Sequence, residues 1–380
     1  MKILYVNPAN IDYPGGGERF AVEVLTRLSK RGHEVGVLHI NWAPHPATSA
    51  GNESKLLDRG AELHKCGYIK LPRGFPVVDP RCLVKPSKQY DVLYIPAYSP
   101  NELTVSLLKK SKALSVPAVA VFHCMLADNV LARLYTPLYI AAFNSFDKLH
   151  VLNRFQRNFL KSHGIPEEKI EFIPNGVDTS TFQLCRDPSA SEDFNIVFVG
   201  RLLKDKGVDT LLRIIYLIND ELNLHDVKFT IVGSGPLEED IKKLAQKYQN
   251  VVFLGYVKHE NMPSIYREAN LFLLPSRSEG MPLSLLEAQA CGLPAVASKI
   301  PGVLDIVRDG VTGRLVDAED VRGFVSAIEE CYRLWESSPQ EYYNLNKKIR
   351  EYIVRNYDLE VVVGKIEKML HEAIYKVQVS

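Results

Sequence analysis

Short apolar runs alternate with amphipathic stretches through most of this chain, and the two periods follow one another in strict rhythm. Runs with no polar face predict buried strands at residues 2–7, 34–40, 91–95, 117–123, 148–152 and 170–173. Between them, apolar residues at helical spacing, such as Phe20, Val24, Leu25 and Leu28, predict helices near 18–31, 102–112, 126–143 and 155–163. Residues 41–88 break the rhythm with Pro- and Gly-containing loops. Pro174-Asn175-Gly176-Val177-Asp178 stops it altogether, and the polar residues 179–192 with Pro188 have no clear period. The rhythm then restarts. Strands are expected at 195–199, 228–232, 251–254, 271–274 and 294–297. Helices are expected at 208–218, 237–248 and 262–268. A region rich in glycine (Gly302, Gly310, Gly313) follows, and two helices close the chain. Repeated β-α units call for parallel sheets with right-handed crossovers. The expected fold is α/β, with two Rossmann-like, doubly wound parallel-sheet domains.

A length of 380 residues suits two domains, and 46% hydrophobic with 24% charged residues is ordinary for a soluble globular protein. After Met1-Lys2 the chain enters a strand, so no signal peptide is expected. No apolar run is long enough to span a bilayer. Six scattered cysteines without a CxxC pair argue against a zinc site and for reduced thiols, hence a cytoplasmic location. The net charge of +1 hides an asymmetry. Residues 1–175 carry 22 Lys+Arg against 15 Asp+Glu, and the remainder carries 24 against 30. A basic first half suits an anionic acceptor or membrane surface, so peripheral association at the inner face of a membrane is an open expectation. Nothing in the pattern calls for a nucleic-acid partner.

The densest chemistry is in Ser278-Glu279-Gly280-Met281-Pro282-Leu283-Ser284-Leu285-Leu286-Glu287. It follows a predicted strand and enters a helix, with Pro282 suited to the first turn. The amides of such an N-terminus have no internal partner and carry partial positive charge, so the segment can hold a phosphate. Gly200-Arg201-Leu202-Leu203-Lys204-Asp205-Lys206-Gly207 occupies the same kind of place after another strand, and Arg201 and Lys206 supply cations that can converge on a diphosphate. Gly233-Ser234-Gly235-Pro236 is a third such turn, lacking the last glycine of a dinucleotide fingerprint. Val257 ends a fourth. In the first half, Gly15-Gly16-Gly17 opens a helix and His123 ends a strand. The other histidines are read as lacking an acidic partner at metal-ligand spacing, so no bound metal is expected. Placed at strand C-termini of two facing domains, these features would share one cleft.

These residues resemble the GT-B nucleotide-sugar-dependent glycosyltransferases of the large retaining group called family four. The resemblance covers essentially the whole chain. It rests mainly on Glu279 to Glu287 with the intervening Gly-Met-Pro-Leu-Ser-Leu-Leu, and on Gly200-Arg201 with Lys206-Gly207. It implies an N-terminal acceptor-binding domain, 1–175 plus 358–380, and a C-terminal donor-binding domain, 176–357. A last helix, about 359–376, would cross back onto the first domain. It also implies roles. Glu279 would bind the donor sugar and Glu287 the ribose. Gly280, Met281, Pro282 and Leu283 would meet the diphosphate. Arg201 and Lys206 would neutralise it as it leaves, with Gly200, Gly233, Gly235 and Val257 lining the nucleotide. His123, Gly16 and Gly17 would approach the transferred sugar and phosphate from the first domain. The implied reaction moves a hexose, with retention, from a nucleotide-diphosphate sugar to a glycan or lipid-linked acceptor, without metal or other cofactor. A nucleotide-sugar epimerase of the same fold, or a non-catalytic sugar-nucleotide binding protein, is the alternative. The acceptor side falls to residues 41–88, where Arg73, Arg81, Lys85 and Lys88 would favour an anionic group.

Overall fold

The computed structural model describes residues 1–13, 15–42, 51–70, 76–97, 101–122, 130–185, 193–222 and 226–379. The chain divides into two compact units, residues 1–175 with 360–380, and residues 176–359.

The first unit carries a seven-stranded sheet. Its strands are β1 (Lys2–Asn7), β2 (Glu34–Ile40), β3 (Glu62–Cys66), β6 (Val92–Pro96), β7 (Ala118–Phe122), β8 (Lys148–Val151) and β9 (Ile170–Phe172). A separate antiparallel pair, β4 (Tyr68–Lys70) and β5 (Pro76–Val78), lies outside it. The order is β3-β2-β1-β6-β7-β8-β9, with every pair parallel, so the winding reverses between β1 and β6. Central strands are buried on both faces, which is why they appear in the sequence as unbroken apolar runs. The helix Gly16–Lys30 covers one face through Phe20, Val24, Leu25 and Leu28, all buried at helical spacing.

Two expectations change here. β3 falls within the stretch read as loop. Its sequence, Glu-Leu-His-Lys-Cys, has no apolar run because it is an edge strand and its flank faces water. The cysteines expected as free thiols include a disulfide, Cys66–Cys82, with Cα atoms 5.9 Å apart. The β4-β5 pair brings the end of β3 beside the helix Pro80–Ser87, so residues without a CxxC spacing meet.

The second unit holds β10 (Phe194–Val199), β11 (Val227–Val232), β12 (Val251–Gly255), β13 (Leu271–Leu274), β14 (Ala295–Ser298) and β15 (Gly313–Val316). They form one parallel sheet in the order β12-β11-β10-β13-β14-β15, which reverses between β10 and β13. The four side chains of β13 are buried to 2% exposure or less, contributing about 1.5–3 kcal/mol each by burial. Three helices, not two, close the chain: Val321–Ser337, Pro339–Tyr357 and Leu359–Val379. Pro339 starts the second and Asp358 separates it from the third. Near the passage between units, Val177 and Asp358 form a parallel bridge, and the Val177 N–H donates to the Tyr357 carbonyl at 2.9 Å. The last helix fastens to the first unit by ion pairs from Arg27 and Arg31 to Glu360, and from Lys148 to Glu372. Among the described residues no helix is long and apolar enough to cross a membrane.

Candidate functional site

In an open parallel sheet the loops after the two strands flanking the reversal diverge, and the crevice between them is where ligands bind. In the second unit those loops follow β10 and β13. They are the Gly200–Gly207 segment and the Pro275–Pro282 segment, the two richest in candidate chemistry. Lys206 and Glu279 meet across the reversal, Nζ to Oε2 2.8 Å, with both side chains largely buried. Ser276, fully buried, donates its Oγ–H to the other Glu279 oxygen at 2.9 Å. Arg201 is exposed, and its side chain makes no hydrogen bond or ion pair among the described residues.

Gly280, Met281 and Pro282 lead into the helix Leu283–Ala290. Pro282 stands at its N-cap, and no side chain caps the N-terminus. Glu287 lies one turn further along, 5% exposed. His259 Nε2 is 3.1 Å from Glu287 Oε1, and the Tyr266 hydroxyl donates to Oε2 at 3.2 Å. His259 lies two residues beyond Val257, so the half-buried Val257 belongs to the segment that reaches Glu287.

The glycine turns fit closely. Gly233 has φ +143°, and a Cβ there would lie 1.8 Å from the Gly200 carbonyl oxygen, so only glycine is accommodated. Gly235 faces Leu202, whose N–H donates to the Ser234 carbonyl at 2.9 Å. The turns after β10 and β11 therefore pack directly against one another.

In the first unit the reversal lies between β1 and β6. Gly16, exposed, and Gly17, half-buried, are the first two residues of the helix that follows β1, with Gly15 as N-cap. His123 follows β7 and lies outside the described residues.

Residues 14–181 match the family model Glycosyltransferase Family 4, and residues 193–333 match Glycosyl transferases group 1. The chain belongs to the family-four glycosyltransferases. The GDP-mannose-dependent alpha-(1-6)-phosphatidylinositol monomannoside mannosyltransferase of Mycolicibacterium smegmatis is 31% identical over 49% of this chain and 53% of its own length. The match thus spans about half of that relative. The GDP-mannose-dependent alpha-mannosyltransferase of Corynebacterium glutamicum is 27% identical over 87% of this chain and 80% of its own. The crystal structure of Anabaena HepE in complex with UDP and glucose superposes with a TM-score of 0.76 at 18% identity, covering 98% of this chain and all of that one. The fold of this glycosyltransferase is therefore GT-B.

Three residues shape the site of the glycosyltransferase without any motif of their own. Arg277 donates from Nη1 and Nη2 to the two Asp209 carboxylate oxygens at 2.7 Å each, and from Nε to Glu319 at 2.6 Å. It also donates to the Lys204 carbonyl, and its backbone N–H donates to the Asp205 carbonyl at 2.8 Å. The two loops are thus stapled beside the Lys206–Glu279 pair. The Arg277 guanidinium in turn holds the Asp209 carboxyl below the usual carboxylate range. His259 is the second residue, as the partner of Glu287. The third is Gly302, whose missing Cβ would lie 2.3 Å from the Glu279 carbonyl oxygen and 2.6 Å from that of Gly280. The sequence displays all three, but only as a common cation, a histidine and a glycine near a turn.

Proposed function

We propose that the chain transfers a hexose from a nucleotide-diphosphate sugar to a glycan or lipid-linked acceptor hydroxyl, with retention at the anomeric carbon. The carrying observation is the Lys206–Glu279 pair across the β10/β13 reversal. A diphosphate would compete with Glu279 for the Lys206 ammonium. Glu279, relieved of its counter-ion but still held by Ser276, would then accept hydrogen bonds from sugar hydroxyls. Breaking the anomeric C–O bond leaves negative charge on the diphosphate. Lys206 and the amides of Met281 and Leu283 answer that charge from fixed positions, and the exposed Arg201 adds a further cation. These cations would let the reaction run without a metal.

Glu287, oriented by His259 and Tyr266, would take the ribose hydroxyls, and Val257 would border the base. Gly16, Gly17 and His123 are assigned to the phosphate and the transferred sugar. With both glutamates engaged in binding, the leaving phosphate is the base that accepts the acceptor proton in a front-face route. The first unit is assigned to the acceptor. There a groove of about 340 Å³ is lined by Pro80, Arg81, Val84, Lys85 and Leu108, which suits an anionic acceptor with an apolar portion.

The test is incubation with UDP- and GDP-sugars and a panel of glycan and polyprenyl-phosphate acceptors. The readouts are released nucleotide by chromatography and anomeric configuration by NMR. Transfer with retention is expected. Isomerised sugar without transfer would identify an epimerase instead, and inversion would remove the front-face route. Lys85→Glu is expected to raise the KM of an anionic acceptor several-fold, and an unchanged KM would remove the groove from the acceptor path.

A further inference from the structure

Away from the strand C-termini, at the opposite edge of the first sheet, three metal-ligating side chains converge. His33 stands in the turn just before β2. Glu367 and His371 lie four residues apart on the last helix, Leu359–Val379, and so share one face of it. One ligand atom from each of the three falls within 4.8 Å of the others. His33 Nε2 is 2.6 Å from Glu367 Oε1, and the His33 and His371 rings are 5.9 Å apart, edge to face. Nδ1 of His33 is 3.3 Å from the Met1 amine, which leaves Nε2 as the inward atom. His371 makes no hydrogen bond or ion pair among the described residues, so its ring is a spare donor beside an occupied pair.

We propose that His33, Glu367 and His371 form a binding site for a borderline divalent ion, Zn2+ foremost, that clasps the returning helix to the first unit. Two imidazoles and one carboxylate suit zinc and its neighbours, with a water as fourth ligand. Mg2+ and Ca2+ call for oxygen sets this site lacks. Tetrahedral metal–ligand bonds of about 2.0–2.1 Å place ligand atoms roughly 3.3 Å apart. The His33–Glu367 contact would open slightly to admit the ion, and the widest gap would close. Arg31 supplies the opposing term, since its Nη1 holds Glu367 Oε2 at 2.8 Å and adds positive charge nearby. That contact also fixes the carboxylate so that Oε1 alone faces the histidines. Arg31 keeps a second partner in Glu360, 2.9 Å from Nη2, so it stays paired if the ion takes charge from Glu367. The clasp joins residues that the whole second unit separates in sequence. Its effect is therefore on how firmly the last helix is held, not on the chemistry of transfer.

The full-length protein, stripped with a chelator and dialysed, is titrated with Zn2+ by calorimetry and with Co2+ by visible absorption. One ion per chain is expected, insensitive to millimolar Mg2+, with the Co2+ bands of a low-coordinate nitrogen-oxygen site. At an ion concentration about 100 times Kd the Tm should rise by roughly 5–10 °C. Even residues that only orient a metal ligand change affinity about 10–100-fold, so loss of a ligand itself in His371→Ala should weaken Zn2+ binding at least 100-fold. The stripped variant should keep the stripped parent's Tm, because His371 has no other polar partner among the described residues. His371→Gln serves the same purpose if the alanine variant folds poorly. No binding by the parent, several weak sites, or a Zn2+ affinity unchanged in the variant would each overturn the proposal.

Discussion

Replacing Gly302 by alanine adds a single methyl group and asks for no unusual backbone angle. Whatever follows is therefore steric. The added Cβ would sit 2.3 Å from the Glu279 carbonyl oxygen, 2.6 Å from the Gly280 carbonyl oxygen and 2.8 Å from the Glu279 carbonyl carbon. All three are backbone atoms that cannot swing aside as a side chain would. Carbon and oxygen in non-bonded contact settle about 3.3 Å or more apart, so one of the two segments must retreat by about 1 Å. Forcing an extra methyl into a packed region costs about 1–3 kcal/mol, which for a unit of this size lowers Tm by roughly 2–10 °C. The functional effect should be larger than the thermal one. The displaced backbone carries Glu279 and leads into the helix N-terminus, and a misplacement of about 1 Å in a site can cost about 100-fold in rate. Two measurements check this: Tm by calorimetry, and kcat/KM with a nucleotide-sugar donor found in the panel above. A drop of about 100-fold in kcat/KM is expected, alongside the modest fall in Tm. A variant with parental Tm and kcat/KM would refute the packing argument. A lowered Tm with unchanged kcat/KM would refute the claim that the position of Glu279 and Gly280 matters to transfer.

Other outcomes follow from single contacts. Lys206→Met should lower kcat by about 100-fold or more with a smaller effect on donor KM, since in the proposed reaction the ammonium acts on charge that develops as the bond breaks; steady-state kinetics with kcat within twofold of the parent would remove Lys206 from leaving-group stabilisation. His259→Phe keeps the ring beside Phe182 and removes the hydrogen bond to Glu287, so nucleotide affinity should fall several-fold by calorimetry while Tm barely moves. Gly364→Ala, within the last helix, would meet nothing closer than the Arg31 guanidinium at 3.5 Å; it should raise stability by about 0.5–1 kcal/mol, seen as a higher Tm. Glu102 is fully buried, and burial raises its pKa from 4.5 to about 8. An acid raised in the folded state binds more protons there than in the unfolded chain between those values, so its contribution is full below about pH 4.5 and is lost as pH rises toward 8. Glu102→Gln should therefore gain Tm over the parent increasingly from pH 5 to pH 8.5, and a gap that does not widen would refute the assignment.

Much of the architecture could be read along the chain because central parallel strands are buried on both faces. Leu271–Leu274 and Ile3–Val6 have no polar side to hide the pattern. Where that cause is absent, so is the signal. β3 is an edge strand whose Glu62 and Lys65 are exposed, and β4 and β5 are three residues each. The break between the helices ending at Ser337 and starting at Pro339 is a single residue, and the amphipathic pattern runs on across it.

The site divides along a similar line. Lys206, Glu279, Arg201 and Glu287 stand in motifs whose residue types carry chemistry at fixed offsets, so each could be picked out singly. What the chain does not display is adjacency. That Lys206 and Glu279 neutralise one another depends on β13 lying beside β10, a fact of sheet order; nothing within either motif states it. The same holds more strongly for the supporting residues. Arg277 is two residues from Glu279 in sequence, yet it works through Asp209 and the Lys204 carbonyl on the other loop. His33, Glu367 and His371 show the extreme: the helical pair is four residues apart, but its third member is more than three hundred residues away and only the fold supplies it. Short motifs therefore single out candidate groups, while the residues that fix their positions become visible only when separated segments are brought together. Substitutions at Arg277 and Gly302 should for this reason disturb the glycosyltransferase as much as changes within the motifs themselves.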